Sequence, residues 1–358
     1  MTDSTGLAGA VSSHELALAA LRASAAPGEL EVIETHMSWV YLWGEQVLKL
    51  KKPVRHPFLD FTRLDDREAF CREELRLNAR LAPGIYQGLV ALVLIDGRPM
   101  LVDEPQVPRR GDVVDWLVHM KRLPRARMLD EAMAHRAVLA GDVDALVRVL
   151  TDFYRAAQPA NISPMHYVDR LQQDLRLSRS ALLDPRWVIP GAAQAIQQLR
   201  AGLTQHQADL GRRVLSGRIV DGHGDLRPEH VCLLHPPVII DCVEFSASLR
   251  QVDPFDELAF LALECRMAGA GWIGERVMGA CARALGDRPS RRVLQLYTAH
   301  RALLRARLSL AHLLDPEPRT PERWMPQAKR YVAHAQMALD TLSLNEAVES
   351  PEVTRSAG

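Results

Sequence analysis

Ten residues, Asp221-Gly222-His223-Gly224-Asp225-Leu226-Arg227-Pro228-Glu229-His230, concentrate carboxylates and imidazoles in one short loop. They run into Val231–Leu234, a His235-Pro236-Pro237 turn and Val238–Ile240, with Asp241 at the far end. A hairpin centred on Pro236 sets position 231 opposite 241, so it folds Asp241 back beside His230, with Asp225 a few residues upstream. Two carboxylates and an imidazole then converge, although they span seventeen positions of sequence. Such groups accept protons and hold divalent cations. Asp221-x-His223-x-Asp225 also has the spacing of a metallohydrolase ligand set, which predicts Zn²⁺ or Mn²⁺ binding without nucleotide. That reading needs further histidine ligands, and His119 and His166 show no matching spacing. Ordinary loop residues at a strand end are the plainest alternative.

A second candidate lies nearer the N-terminus. Lys49 sits in the middle of the apolar run Val47–Leu50. A helix over residues 65–81 carries the stripe Phe70, Leu77, Leu81, and Glu74 falls on that stripe. A carboxylate on a buried face is costly unless paired, which makes Lys49 its natural partner. Lys51 and Lys52 then read as a solvated strand end or a positive rim.

The elements needed to position these residues follow from the pattern. Ser12-x-x-Glu15 reads as a capping box opening a short helix to about residue 24. Strand-like runs follow at 32–33, 39–42 and 47–50, the last two joined by Gly44-Glu45. After the 65–81 helix come strands at 89–95 and 98–102, joined by Asp96-Gly97, and a strand at 113–120. Beyond residue 121 the helical period dominates, over 142–157, 167–182, 193–214, 254–268, 273–285 and 291–314. The expected architecture is α+β: a small antiparallel sheet with one helix, then a mainly helical domain. The expected divisions are a tail and short helix (1–29), a sheet lobe (30–120), a helical lobe (121–345) and a disordered tail (346–358).

The segment from His223 to His230 resembles the catalytic loop of the protein-kinase-like superfamily, in the HGD form of aminoglycoside phosphotransferases and related small-molecule kinases. Asp241-Cys242-Val243-Glu244-Phe245 falls where that family keeps its metal-binding aspartate. Glu34–Val40, Leu48–Pro53 and Glu73–Asn78 are similar to one poorly characterised bacterial branch, some members of which carry a second, P-loop ATPase domain. This chain has no GxxxxGK[ST] and ends early, so that domain is expected to be missing. The resemblance covers roughly residues 30–315 and implies a bilobal protein-kinase-like fold, ATP and Mg²⁺ (with Mn²⁺ as the other candidate ion), and a small-molecule hydroxyl as acceptor.

Residue by residue, the resemblance makes Asp225 the catalytic base. Arg227 stands where protein kinases place a lysine touching the γ-phosphate, and an arginine can do so bidentately. Asp241 becomes a Mg²⁺ ligand, and Lys49 the α/β-phosphate lysine oriented by Glu74. Ser38, in the glycine-free turn Thr35–Ser38, is a candidate phosphate contact, and Met120 ends the strand before the expected adenine hinge. His230 departs from the family's usual asparagine. We read it as a neutral metal ligand; a cationic phosphate contact and reduced metal use are the alternatives, the last pointing to a nucleotide-binding pseudokinase. In Asp253-Pro254-Phe255-Asp256-Glu257-Leu258-Ala259, Glu257 takes the place of a family aspartate that supports the catalytic loop. Glu244 is left between acceptor binding and capping, and Arg301 and Arg305 read as a solvated helix face with anionic-substrate recognition as the alternative.

Composition narrows the field further. The 44 basic and 44 acidic residues cancel, so nothing suggests a nucleic-acid partner. The most apolar stretch, Leu258–Leu263, is closed by Glu264 and Arg266, so no membrane partner is expected. The N-terminus lacks the signature of a signal peptide, and the five cysteines form no CxxC, which fits reduced thiols in the cytoplasm. Oligomeric state is not legible. Only five of the 44 basic residues are lysines, and three of them fall at 49, 51 and 52.

Overall fold

Alternating apolar residues bounded by tight turns build an antiparallel sheet in the first third of the chain, and the helical period builds the rest. The computed structural model describes residues 12–24, 28–56, 59–107, 112–315 and 318–349. The chain divides into two units, Met1–Arg127 with Val238–Ala247, and Met128–Pro237 with Ser248–Gly358.

The first unit contains α1 (Ser13–Ser24), β1 (Leu30–Glu34), β2 (Ser38–Trp43), β3 (Gln46–Lys51), β4 (Arg55–His56), β5 (Leu59–Asp60), α2 (Leu64–Asn78), β6 (Tyr86–Ile95), β7 (Arg98–Asp103) and β8 (Val113–Lys121). Six strands form one antiparallel sheet in the order β1-β2-β3-β8-β6-β7. Gly44-Glu45 closes the β2–β3 hairpin and Asp96-Gly97 the β6–β7 hairpin; Asp96 and Gly97 both have positive φ, as a tight hairpin turn requires.

Period-two alternation sorts β3 into two faces. Leu48 and Leu50 join Ala17, Ala20 and Leu21 of α1 in one apolar cluster, while Lys49 and Lys51 reach Glu74 of α2. The sheet therefore carries two helices rather than the one expected. The helix within 1–29 is part of this unit because its Ala/Leu stripe needs an apolar surface to cover; residues 1–11 lie outside the described residues.

Residues 238–247 also belong here, although they follow the 221–237 segment of the second unit in sequence. Ile239 N–H donates to Leu81 O, Asp241 N–H to the Tyr86 hydroxyl and Cys242 N–H to Asn78 Oδ1. Those bonds to α2 and its neighbours, made across about 160 residues of chain, are what a boundary drawn at residue 120 did not anticipate.

In the second unit the helices are α3 (Leu129–Ala134), α4 (Ala140–Ala156), α5 (Pro164–Leu182), α6 (Ala192–Gln205), α7 (Gln207–Leu215), α8 (Ala247–Arg250, its first residue in the first unit), α9 (Pro254–Met267), α10 (Gly271–Leu285), α11 (Arg291–Ala311) and α12 (Pro321–Glu349). The run 193–214 is two helices because His206 leaves helical geometry, with φ −104° and ψ 20°. Tyr167 and Leu171 of α5, Leu199 of α6, Leu296 and Leu303 of α11, and Tyr331 and Leu339 of α12 share one apolar core.

Helix α12 has no counterpart in the sequence reading. Pro321 opens it and Pro326 lies inside it, which obscures the period, yet Ala328, Tyr331, Val332, Ala335, Ala338, Leu339 and Leu342 form an unbroken buried stripe. It ends at Glu349, so residues 346–349 are helical rather than disordered; the remainder of that tail, 350–358, lies outside the described residues. Among the described residues no helix is long and apolar enough to cross a membrane, and all five cysteines are buried and none is in a disulfide.

Candidate active site

In the first unit Lys49 Nζ donates to Glu74 Oε1 at 2.9 Å and to Asp241 Oδ1 at 2.6 Å, residues 25 and 192 positions away. Strand β3 fixes the lysine's base and α2 delivers Glu74 from the stripe that also buries Cys71, Leu77 and Asn78. Burial alone would lower the Lys49 pKa; Asp241, Glu74 and Glu244 outweigh it and hold the ammonium well above the ordinary lysine value. Burial would likewise raise Glu74, but Lys49 and Lys51 keep its carboxyl below the usual range. Asp241 has φ 63°, in the left-handed region that aspartate tolerates better than most residues, and 44% of its side chain is exposed. Asn78 extends the arrangement: its side-chain amide donates to Glu74 O and its Oδ1 accepts the Cys242 N–H. Its spacing of four from Glu74 on one helix face was the available signal.

Lys51 corrects the sequence reading. It is no solvated strand end: its side chain is 1% exposed, and Nζ donates to Glu74 Oε2 at 2.7 Å and to Glu244 Oε1. Glu244 is thus held by the Lys51 ammonium. Lys52, at the strand's end, pairs with Glu34 and lies over the Trp39 ring.

Ser38 is 2% exposed, and Thr35 takes both its N–H and, through the Thr35 N–H and hydroxyl, its carbonyl. Met120 is buried in the ladder between Val47 and Tyr86, and the next two N–H groups, of Lys121 and Arg122, donate to Ile85 O and Glu45 O.

In the second unit the segment from Asp221 to Cys232 is pinned at both ends. Asp221 pairs with Gln251 in a two-residue antiparallel ladder formed by β9 (Val220–Asp221) and β10 (Gln251–Val252), and Cys232 bridges to Met128. Between them Glu257 of α9 accepts the N–H groups of His223 (3.0 Å) and Gly224, and the Tyr154 hydroxyl at 2.9 Å. Burial raises the Glu257 pKa, partly offset by the Gly224 and His223 amides. The support expected of Glu257 is therefore made through backbone amides. Asp256, one residue earlier, instead holds Arg301.

Two glycines make that contact possible. Gly224 has φ 92°, which a side chain would strain, and a Cβ at Gly222 would sit 2.6 Å from Glu257 Oε2. Gly222→Ala is expected to push Glu257 off the loop amides and cost ~1–3 kcal/mol of stability, read from urea unfolding.

Within the loop the Asp225 N–H donates to His223 Nδ1 at 3.2 Å, so His223 braces the turn. Arg227 Nε donates to Asp225 Oδ2 at 3.0 Å, and its Nη1 lies 2.5 Å from Glu229 Oε1. Burial would raise the Asp225 carboxyl; Arg227, with His230, Arg305 and His223, outweighs it and holds the pKa below the ordinary value. His230 Nδ1 lies 2.8 Å from the Asp225 backbone carbonyl, which can only accept, so Nδ1 carries a proton; Arg227 Nη2 stands 3.4 Å from Nε2. A hard divalent ion suits the half-exposed Asp241 carboxylate, whereas an imidazole Nε2 suits Mn²⁺ better than Mg²⁺.

The metallohydrolase spacing has no structural counterpart. Arg250 Nε donates to Asp221 Oδ1 at 2.8 Å, and Asp221, His223 and Asp225 form no group of mutually close ligand atoms among the described residues.

Arg301 and Arg305 also correct the reading. Arg301 is buried and bidentate on Asp256 at 2.9 and 2.7 Å, and Arg305 Nε lies 3.3 Å from Glu264, which accepts the Tyr331 hydroxyl. Neither forms a solvated face, because α9 supplies a carboxylate opposite each. Arg301→Met would leave Asp256 buried without its counter-ion; a loss of ~3–5 kcal/mol in chemical unfolding is expected.

No protein-family model matches the chain. Uncharacterized proteins of Mycobacterium tuberculosis and Mycobacterium bovis are each 27% identical to it over 338 residues, an alignment covering 87% of this chain and 61% of the relative. The chain therefore spans less than two thirds of the length of the curated relatives it matches. Among solved structures, a choline kinase from Cryptosporidium parvum matches with TM-score 0.54 at 9% identity, covering 93% of this chain and 97% of that one. A choline/ethanolamine kinase family protein from Mesorhizobium loti matches with TM-score 0.52 at 15% identity, covering 90% and 92%. An ethanolamine kinase from Plasmodium vivax gives 0.50 at 8% identity, covering 86% and 81%. The α+β protein-kinase-like fold implied by the catalytic-loop motifs is the fold of this chain.

Proposed function

We propose that this protein is an ATP-dependent phosphotransferase that moves the γ-phosphoryl group to a hydroxyl of a small molecule in the cytoplasm. The observation that carries the reading is Lys49, whose ammonium bridges Glu74 and Asp241 in the first unit. An ammonium held charged and oriented by one buried carboxylate is suited to take phosphate oxygens. Asp225, kept ionised by Arg227, is suited to accept the acceptor hydroxyl's proton as attack proceeds. Arg227 also has donors in the fork geometry that binds phosphate bidentately. Asp241 is suited to take a divalent metal in the first unit, and His230 is a separate candidate ligand in the second. Bound Mg²⁺ or Mn²⁺ would neutralise charge on the phosphates.

A second reading, a nucleotide-binding protein without transfer activity, is favoured by the Arg227 guanidinium lying on Asp225 and facing His230 Nε2. The test is ATP consumption across a panel of hydroxylated metabolites (choline, ethanolamine, sugars, hydroxy amino acids) with Mg²⁺ or Mn²⁺, and Asp225→Ala alongside. Acceptor-dependent turnover abolished in Asp225→Ala supports the phosphotransferase. Nucleotide binding without turnover supports the second reading, and turnover indifferent to that substitution sinks the first.

A further inference from the structure

Two lysines, not one, hold Glu74. Strand β3 turns Lys49 and Lys51 to the same face, and each takes a different oxygen of the same carboxylate, Lys49 taking Oε1 and Lys51 taking Oε2. Their settings differ. Glu74 is 0% exposed and Lys51 nearly so, and Lys51 continues to Glu244, whose side chain is 9% exposed, and lies over the Phe61 ring at 5.2 Å. Lys49 instead continues to Asp241, the most exposed member of the group. The Lys51 ammonium is thus tied to enclosed carboxylates, and the Lys49 ammonium to one enclosed and one half-exposed carboxylate.

The segment carrying Glu244 is the segment carrying Asp241, three residues apart. Lys51 therefore ties together three things: the strand that bears Lys49, the helix that bears Glu74 and the stretch that bears Asp241. Two ammonium groups face three carboxylates here, so neither lysine is surplus to charge balance.

We propose that Lys51, with Glu244, is a positioning residue for nucleotide binding. It holds Glu74 and the Asp241 segment in place independently of Lys49. The Lys49 ammonium can then exchange its carboxylate partners for phosphate oxygens without leaving a buried Glu74 unpaired, an uncompensated charge that would otherwise oppose the exchange. Without Lys51, Glu74 has only Lys49 and draws it inward. This inference rests on the reading of Lys49 as the phosphate-binding lysine.

The experiment is ATP affinity and thermal unfolding of the full chain, with ATP and MgCl₂ as the probe, measured by titration calorimetry and melting temperature. The double variant Lys51→Met/Glu244→Gln removes both charges of the inner pair. It is expected to fold and to bind ATP at least about tenfold more weakly than wild type, a difference of ~1.4 kcal/mol. A purely structural Lys51 would leave affinity unchanged in a folded variant, and wild-type affinity there overturns the proposal.

The single variants give a second measure. Lys49→Met leaves the exposed Asp241 to water and Glu74 still paired to Lys51, so its melting temperature is expected to fall less than that of Lys51→Met, which strands Glu244. The reverse order, or an unfolded Lys49→Met, overturns the independent hold on Glu74 even if the double variant does not fold. If wild type itself binds no ATP, the phosphotransferase reading fails and takes the proposal with it. If wild type binds ATP and the double variant binds equally, only the role of Lys51 fails.

Discussion

Asp225→Ala is expected to lower acceptor-dependent ATP turnover by about 10²–10⁴-fold, the contribution typical of a positioned general base, while ATP affinity stays close to wild type. The asymmetry follows from placement. Asp225 meets Arg227 and the catalytic-loop backbone in the second unit, whereas the ammonium proposed to take phosphate is Lys49 in the first. Removing the carboxylate frees Arg227 for Glu229 and leaves the amides of His223 and Gly224 on Glu257, so the loop keeps its shape. Titration calorimetry with ATP and a coupled ADP assay separate the two quantities. The pH profile is a companion readout. Because the folded-state pKa of Asp225 is depressed, its carboxylate stays ionised to lower pH than an ordinary aspartate, and the acid limb of kcat/KM is expected below the ordinary aspartate value. An acid limb at or above the ordinary aspartate value assigns the base to another group.

Lys49→Met carries the second large effect: a fall of about 10²–10³-fold in kcat/KM, the size seen when one preorganised charged or hydrogen-bonding donor is removed from a transition state. Here the loss is expected chiefly as ATP affinity. Lys49→Arg is the sharper variant. The ammonium sits between Glu74 at 2.9 Å and Asp241 at 2.6 Å, contacts made by a compact head on a flexible stem. A planar guanidinium needs more width between strand and helix, so the Lys49→Arg variant is expected to restore charge without restoring affinity. Wild-type binding by that variant would mean that the lysine reflects composition alone. A chain that writes most of its basic residues as arginine keeps lysine at both 49 and 51, and both prove to be enclosed ammonium sites on one carboxylate.

Much of this arrangement was legible before any coordinates, and the reason is locality. The β2–β3 and β6–β7 hairpins are written in Gly44-Glu45 and Asp96-Gly97, because a two-residue turn imposes its own φ requirements. Glu74 could be paired with Lys49 because a helical period and the cost of a buried carboxylate act within one turn and one neighbouring strand. The support of the His223–Asp225 turn by Glu257 followed from a short motif, although its use of the His223 and Gly224 amides did not.

Burial of the other charged residues was not legible. Lys51, Arg301 and Arg305 read as solvated because a cation on a strand end or helix face is usually so, and nothing within a few positions contradicts it. What overturns that default is a carboxylate arriving from far along the chain: Glu244 reaches Lys51 across 193 positions, and Asp256 reaches Arg301 across 45. The sequence by itself determined which residue types stand ready for phosphoryl transfer and the local turns and helices that carry them. Only the tertiary structure decided which charges are enclosed and with whom they pair. Desolvation and pairing depend on the whole set of segments meeting at a point, and no local window of sequence contains that set.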